Sequence, residues 1–161
     1  MNEKKFEFEY EVYNDITELN ETDASLLKEA RSVTKQAYAP YSNFHVAAVA
    51  KMKNGKTVVG TNQENASYPV GICAERVLLG SAANLYPGEA IESIAISYDS
   101  EHVKSDHPIS PCGMCRQTLL EFENRIKKPI RLILGGMEGK VYVIKSASQL
   151  LPFAFTSDEL G

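Results

Sequence analysis

An α/β fold, with a mixed sheet carrying helices on its faces, is what this sequence predicts. Three observations lead there. Strand-like and helix-like runs alternate along the chain after an opening hairpin, the pattern of a layered sheet-and-helix domain. The 161 residues are 43% apolar and 24% charged, enough for one domain that hides about 70% of its unfolded surface. No apolar run approaches the roughly 20 residues of a membrane span.

Each element has its own signal. KFEFEYEVYN at 5–14 alternates, with Phe6, Phe8, Tyr10 and Val12 on one side and Glu7, Glu9 and Glu11 on the other, which predicts a half-buried strand. Asp23 or Ser25 starts a helix whose Leu26, Leu27, Ala30, Val33, Thr34 and Ala37 recur at helical spacing. That helix stops before Pro40, because proline disfavours helical geometry in the preceding residue. FHVAAVAKM and KTVVGTN flank the turn residues Asn54 and Gly55, predicting a β-hairpin. A helix over 74–85 ends near Pro87-Gly88, followed by the strand IESIAISY and a polar loop over 99–110. A second helix spans 113–124, RLILGG and KVYVIKS form two more strands, and a short helix with LPFAFTSDEL closes the chain.

Charge and cysteine usage narrow the function. A net charge of −4 opposes a polyanionic partner, so no nucleic acid is expected, and no membrane. The acidic start MNEKKFEFEYEVYND lacks the apolar block of a signal peptide, so a cytoplasmic location is expected. Three cysteines, Cys73, Cys112 and Cys115, make a disulfide framework a poor fit and leave metal binding or thiol chemistry. A redox C-x-x-C would head the first helix of a thioredoxin-like unit, whereas here the pair comes late and a third cysteine heads another helix.

Cysteines at helix starts sit among amide N–H groups without intrahelical partners, at the positive end of the dipole, where thiolate is favoured. Two such starts could present three thiolates to one tetrahedral Zn²⁺ and leave the fourth position to water. His45, His102 and His107 lie outside both motifs, so no fourth protein ligand is evident and a catalytic site is favoured over a structural one. Arg76, one turn from Cys73, would offset the net negative charge of three thiolates on a dication. Glu75 lies two residues from Cys73, and such residues point about 200° apart within a helix. The two converge only if Cys73 is the cap. Glu75 then reaches the water and serves as general base and acid.

CAE at 73–75 with PCGMC at 111–115 matches the zinc-deaminase grammar of ligand-x-Glu and Pro-Cys-x-x-Cys in its three-cysteine form. Together with AYAPYSNFHVAA at 37–48, GTNQENASYPVGICAERV at 60–77, ISPCGMCRQ at 109–117 and LLPFAFTSDEL at 150–160, it makes the chain resemble the homotetrameric zinc-dependent cytidine deaminases over residues 24–160. The resemblance implies a single-domain three-layer α/β/α sandwich with a five-stranded mixed sheet, in which residues 21–161 are the catalytic domain and 1–20 a strand-like extension. It implies hydrolytic deamination of cytidine and 2′-deoxycytidine to the uridine products and ammonia, within pyrimidine salvage, with one Zn²⁺ per subunit. By resemblance, Asn62 and Glu64 bind the ribose 3′-hydroxyl and Phe44 packs on the pyrimidine. The Ala74 backbone N–H meets the base carbonyl, while Ala66, Tyr68 and Phe155 serve a neighbouring subunit of a homotetramer. Met114, Ala47 and the long 99–110 loop depart from the family's usual pattern without touching a proposed zinc ligand or Glu75.

Three rivals make different demands. A deaminase of another aminopyrimidine shares the grammar, but Glu64 suits a ribose. A nucleic-acid-editing deaminase needs a basic and aromatic strip that this chain lacks. A zinc module without activity needs a fourth ligand.

Overall fold

The computed structural model describes residues 1–161 as one sheet between two helical layers. Six strands lie in the order β1-β6-β5-β4-β2-β3: β1 (Tyr10–Tyr13), β2 (Phe44–Met52), β3 (Thr57–Thr61), β4 (Ile91–Ser100), β5 (Arg131–Gly135) and β6 (Val141–Ile144). Only β4 and β5 run parallel, so the sheet is mixed. The helices are α1 (Glu21–Val33), α2 (Ala74–Leu85) and α3 (Gly113–Ile126).

Strand alternation sorts the core into two halves. Ala48, Ala50, Ile94, Ile96, Leu132 and Leu134 face α2 and α3, meeting Leu78, Leu79 and Leu119. Val49, Ala95, Ile133, Val141 and Val143 face the other way, onto Leu26, Leu27 and Ala30 of α1. The central strands are apolar on both sides because both sides are covered. Leu78 and Leu79 are completely buried. At about 2 kcal/mol each, they press the start of α2 onto the sheet.

Gly60 of β3 sets how closely that helix approaches. A Cβ there would collide with the Ala74 carbonyl and the Leu78 N–H, and would lie 2.8 Å from Leu78 Cα. Only glycine allows this contact.

The three-layer α/β/α class is as expected, but the sheet has six strands where five were expected, because β1 pairs antiparallel with β6 (Tyr10 with Ile144 through Tyr13 with Val141). The predicted strand over 5–14 shrinks to these four residues, and its facing is inverted. Within it Tyr10 and Val12 are exposed whereas Glu11 and Tyr13 turn inward, and residues 5–9, Phe6 and Phe8 among them, lie exposed outside the strand. The cause is a polar anchor. Arg131 at the start of β5 pairs with buried Asp23 of α1 and reaches Glu11 at 3.5 Å, and Tyr13 Oη donates to Glu11 at 2.7 Å.

α1 begins earlier than expected. Asn20 caps it, accepting the Asp23 N–H at 3.0 Å. It ends at Val33 and passes through a single 3-10 turn at Thr34–Gln36 before Pro40. The hairpin at Asn54-Gly55, the helix over 74–85 and the two late strands lie where their signals place them. β4 runs on to Ser100, two residues into the predicted loop.

Candidate metal and catalytic centre

Cys73 and Cys112 are the N-caps of α2 and α3. Both have extended backbone (φ −70°, ψ 153° and φ −67°, ψ 169°), and neither side chain is engaged in capping. Their sulfurs are therefore free to turn to each other. Cys73 Sγ lies 3.8 Å from Cys112 Sγ, which lies 3.4 Å from Cys115 Sγ, and all three fall within 4.8 Å of one another. All three thiols are free, with burial increasing from Cys112 through Cys73 to Cys115. A tetrahedral ion with Zn–S bonds of about 2.3 Å needs sulfurs roughly 3.8 Å apart. Disulfide sulfurs would stand at about 2.05 Å. The donor set fits zinc in spacing and in softness. No histidine or carboxylate belongs to the group.

The titration behaviour of the bare thiols follows from their crowding. The hydrogen bond from Cys115 draws the Cys73 thiol down to about 6, with Cys112 and the Arg76 charge helping and burial opposing. The same bond, with burial and Glu75, pushes Cys115 far up. The Cys115 S–H thus stabilises the Cys73 thiolate, and a bound dication would displace that proton.

Glu75 follows in the first turn of α2 and is only 5% exposed. Burial raises its carboxyl above the ordinary range, and its own backbone N–H and Cys115 offset this in part. Because Cys73 adopts cap geometry, Glu75 converges with the sulfurs despite the two-residue spacing. Arg76 is half-buried. Its N–H donates to the Cys73 carbonyl at 3.0 Å, and its guanidinium acts on the thiols through charge, without a hydrogen bond to sulfur.

The remaining predicted residues form a second group beside this corner. Gln63 exchanges backbone hydrogen bonds with Ile72 (2.9 and 3.0 Å), which ties segment 62–64 to the residue before Cys73. Asn62 clamps the start of β2: its Oδ1 accepts the Val46 N–H at 2.7 Å and its Nδ2 donates to the Phe44 carbonyl at 2.9 Å. One amide N–H is left over. Glu64 accepts from the Tyr41 N–H (2.9 Å), the Ser42 N–H (3.3 Å) and the Ser42 hydroxyl. Burial works against its ionisation, but these donors outweigh that and hold the carboxyl below the usual range. Glu64 also lines a cleft of about 340 Å³ with Tyr41, Ser42, Asn65, Tyr68 and Gly71.

Phe44 is half-buried and stacks on Tyr98, with centroids 5.0 Å apart and planes at 17°. Ala74 is buried at the first position of α2, where a helix N–H has no intrahelical partner. Ala66, Tyr68 and Phe155 lie on the surface of the single chain, with Tyr68 76% and Phe155 59% exposed. Phe155 is fixed through its carbonyl, which accepts from Gln117 Nε2 at 2.9 Å.

Sequence reasoning missed two supports. Ser42 anchors Glu64 from 22 residues away, a pairing without local signal. Arg116 donates to the Pro111 carbonyl at 2.9 Å and the Leu150 carbonyl at 3.2 Å, holding the turn into α3. Its position directly after Cys115 was the available hint.

Comparison with known proteins supports the same assignment. The family described as "Cytidine and deoxycytidylate deaminase zinc-binding region" matches residues 20–131. The cytidine deaminase of Halalkalibacterium halodurans is 37% identical over 136 residues, covering 84% of this chain and 96% of that protein. The enzyme of the same name from Mycoplasma genitalium is 39% identical over 103 residues, covering 64% and 75%. The crystal structure of cytidine deaminase from Burkholderia pseudomallei superposes with a TM-score of 0.71 at 40% identity, covering 85% of this chain and all of that one. With two cysteine-capped helices, a buried glutamate beside the sulfurs and these matches, the chain belongs to the zinc-binding cytidine and deoxycytidylate deaminase family.

Proposed function

We propose that this protein deaminates cytidine and 2′-deoxycytidine hydrolytically to uridine and 2′-deoxyuridine, releasing ammonia, as a cytoplasmic step of pyrimidine salvage. The observation that carries the proposal is a buried carboxylate, Glu75, set in the first turn of α2 beside a three-sulfur cluster drawn from the starts of α2 and α3.

Cys73, Cys112 and Cys115 would hold one zinc ion per subunit. When bound, zinc supplies Lewis acidity that lowers the pKa of a water towards about 7. The Glu75 carboxylate takes a proton from the attacking water and delivers it to ring N3; it then takes the proton of the new C4 hydroxyl and gives it to the amine, so that the C4–N bond breaks, ammonia leaves and the C4 carbonyl forms. The upward shift that burial gives its carboxyl suits a group that must both hold and release a proton. Arg76 moderates the charge of the thiolates. In this reading the Ala74 N–H meets the base carbonyl oxygen and Phe44 packs on a face of the ring. Asn62, through its remaining N–H, and Glu64, already oriented by Ser42, meet the ribose 3′-hydroxyl.

Residues 21–161 form the catalytic unit in this reading, with 1–20 appended to the sheet edge. The exposure of Ala66, Tyr68 and Phe155 supports a homotetramer in which they complete a neighbour's site.

The test is loss of cytidine ultraviolet absorbance by the purified protein. Turnover is expected, with inhibition by a zinc chelator and recovery on adding zinc. A zinc-loaded protein inert towards cytidine and deoxycytidine overturns the proposal. Glu75→Gln should retain zinc while kcat falls about 10²–10⁴-fold, and a wild-type rate refutes the role of Glu75.

A further inference from the structure

Tyr98 is a tyrosine hydroxyl placed in the core behind the proposed base site. It lies on β4 opposite Val46, on the sheet face that carries α2 and α3, and is completely buried. Its ring backs Phe44 in a near-parallel stack. Its hydroxyl leaves the core towards the long loop after β4. There it donates to the Lys104 carbonyl at 3.1 Å and lies 3.2 Å from His107 Nδ1, which is itself 3.0 Å from Asp106 Oδ1.

That loop is built into the fold. The Glu138 N–H donates to the Ser105 carbonyl at 3.1 Å. Gly136 and Gly139 lie so close to the Ser105 and Asp106 carbonyls that any Cβ would collide with them. Near its start, the Glu101 N–H donates to the Asn43 carbonyl at 3.3 Å, directly before Phe44. The Ser42 hydroxyl accepts the Phe44 N–H at 3.1 Å, and Asn62 holds the Phe44 carbonyl. The Phe44 backbone is therefore fixed on both sides, which leaves its ring as the movable part. That ring rests on Tyr98.

We propose that Tyr98 is a positioning residue for base recognition: its ring sets the plane of Phe44, and its hydroxyl, tied to Lys104 and His107, makes the docked 101–110 loop part of the base-binding wall. This rests on the reading that Phe44 flanks the pyrimidine. The hydroxyl of Tyr98 bonds to the loop and its ring stacks on Phe44, so its effect belongs in substrate affinity and not in the chemical step.

The experiment compares steady-state deamination of cytidine by zinc-loaded wild type, Tyr98→Phe, His107→Ala and the double variant. Tyr98→Phe keeps the stack and removes the tether, and should raise KM about threefold to tenfold with kcat within about twofold and zinc content unchanged. His107→Ala changes an exposed side chain and leaves the Tyr98 ring and its bond to the Lys104 carbonyl in place. It should raise KM in the same direction, and the double variant should be no worse than Tyr98→Phe alone, because Tyr98→Phe already removes the His107 link along with that to Lys104. KM at the wild-type value in either single variant overturns the proposal, as does a fall in kcat at constant KM, or strict multiplication of the two effects. A wild-type protein inactive on cytidine would instead overturn the proposed function, so the two failures are distinct.

Discussion

The cysteine corner and the amino-terminal strand are both short motifs with strong periodic signals, yet they fold in opposite ways to their apparent clarity. At the corner, three reactive side chains gather at two helix starts, with sulfurs 3.4 and 3.8 Å apart beside a buried carboxylate. At the strand, an alternating aromatic run that looks like a core face stays in solvent, with Phe6 55% and Tyr10 49% exposed. The difference lies in what covers each region. α2 and α3 are fixed on the sheet by Leu78, Leu79 and Leu119, so their first turns are held in place. β1 is an edge strand whose only sheet partner is β6, and its inward side meets the Arg131–Asp23 pair instead of an apolar layer.

If this contrast is right, damage at the corner should abolish function and damage at the strand should barely register. The largest effect is expected for Cys112→Ala. Loss of partners behind a metal ligand costs about 10–100-fold, so loss of a ligand should lower activity more than about 100-fold, with zinc below one per chain. Metal analysis alongside the absorbance assay checks this. Full zinc and activity in that variant would remove the corner from the account.

Gly60→Ala comes next. The methyl group would push α2 away from β3, costing about 2–3 kcal/mol and displacing Cys73 and Glu75 together. Denaturant unfolding should show the stability loss, with a fall in kcat/KM beyond what the unfolded fraction explains. A variant as stable and active as wild type would mean that the close approach does not position the site.

A smaller effect concerns pH. Glu75 has a carboxyl raised by burial, so in metal-free protein it contributes stability below the ordinary carboxylate pKa and loses it as pH rises through the raised value. Metal-free Glu75→Gln should therefore melt higher than metal-free wild type at neutral pH, and the gain should vanish near about pH 4. A gain that is the same at both pH values would contradict the assigned cause.

The smallest effect is expected from Phe6→Ser with Phe8→Ser. Both rings are exposed, so stability should change by less than about 0.5 kcal/mol and kcat/KM by less than about twofold. A large loss of either would show that the strand does more than extend the sheet.

Much of this was legible before the structure, for reasons that can be named. Helix starts at 74 and 113, the hairpin at Asn54-Gly55 and the late strands rest on local signals, and each lies where it was expected. The convergence of Cys73 with Cys112 and Cys115 was readable because helix caps and ligand chemistry left one arrangement satisfying all three. What local pattern could not supply was partnership across distance. Glu11 faces inward because of Arg131, 120 residues away. Glu64 is oriented by Ser42, and Phe44 rests on Tyr98. The sixth strand and its reversed face follow from the same cause, since alternation gives two faces but not which one has a neighbour.

The central claim is that three sulfurs from two helix starts share one zinc ion. X-ray absorption at the zinc edge of the purified, zinc-loaded protein tests it directly. The account predicts one zinc per chain with three sulfurs at about 2.3 Å and a single lighter neighbour. A shell holding two sulfurs or fewer, or no stoichiometric zinc, would contradict it.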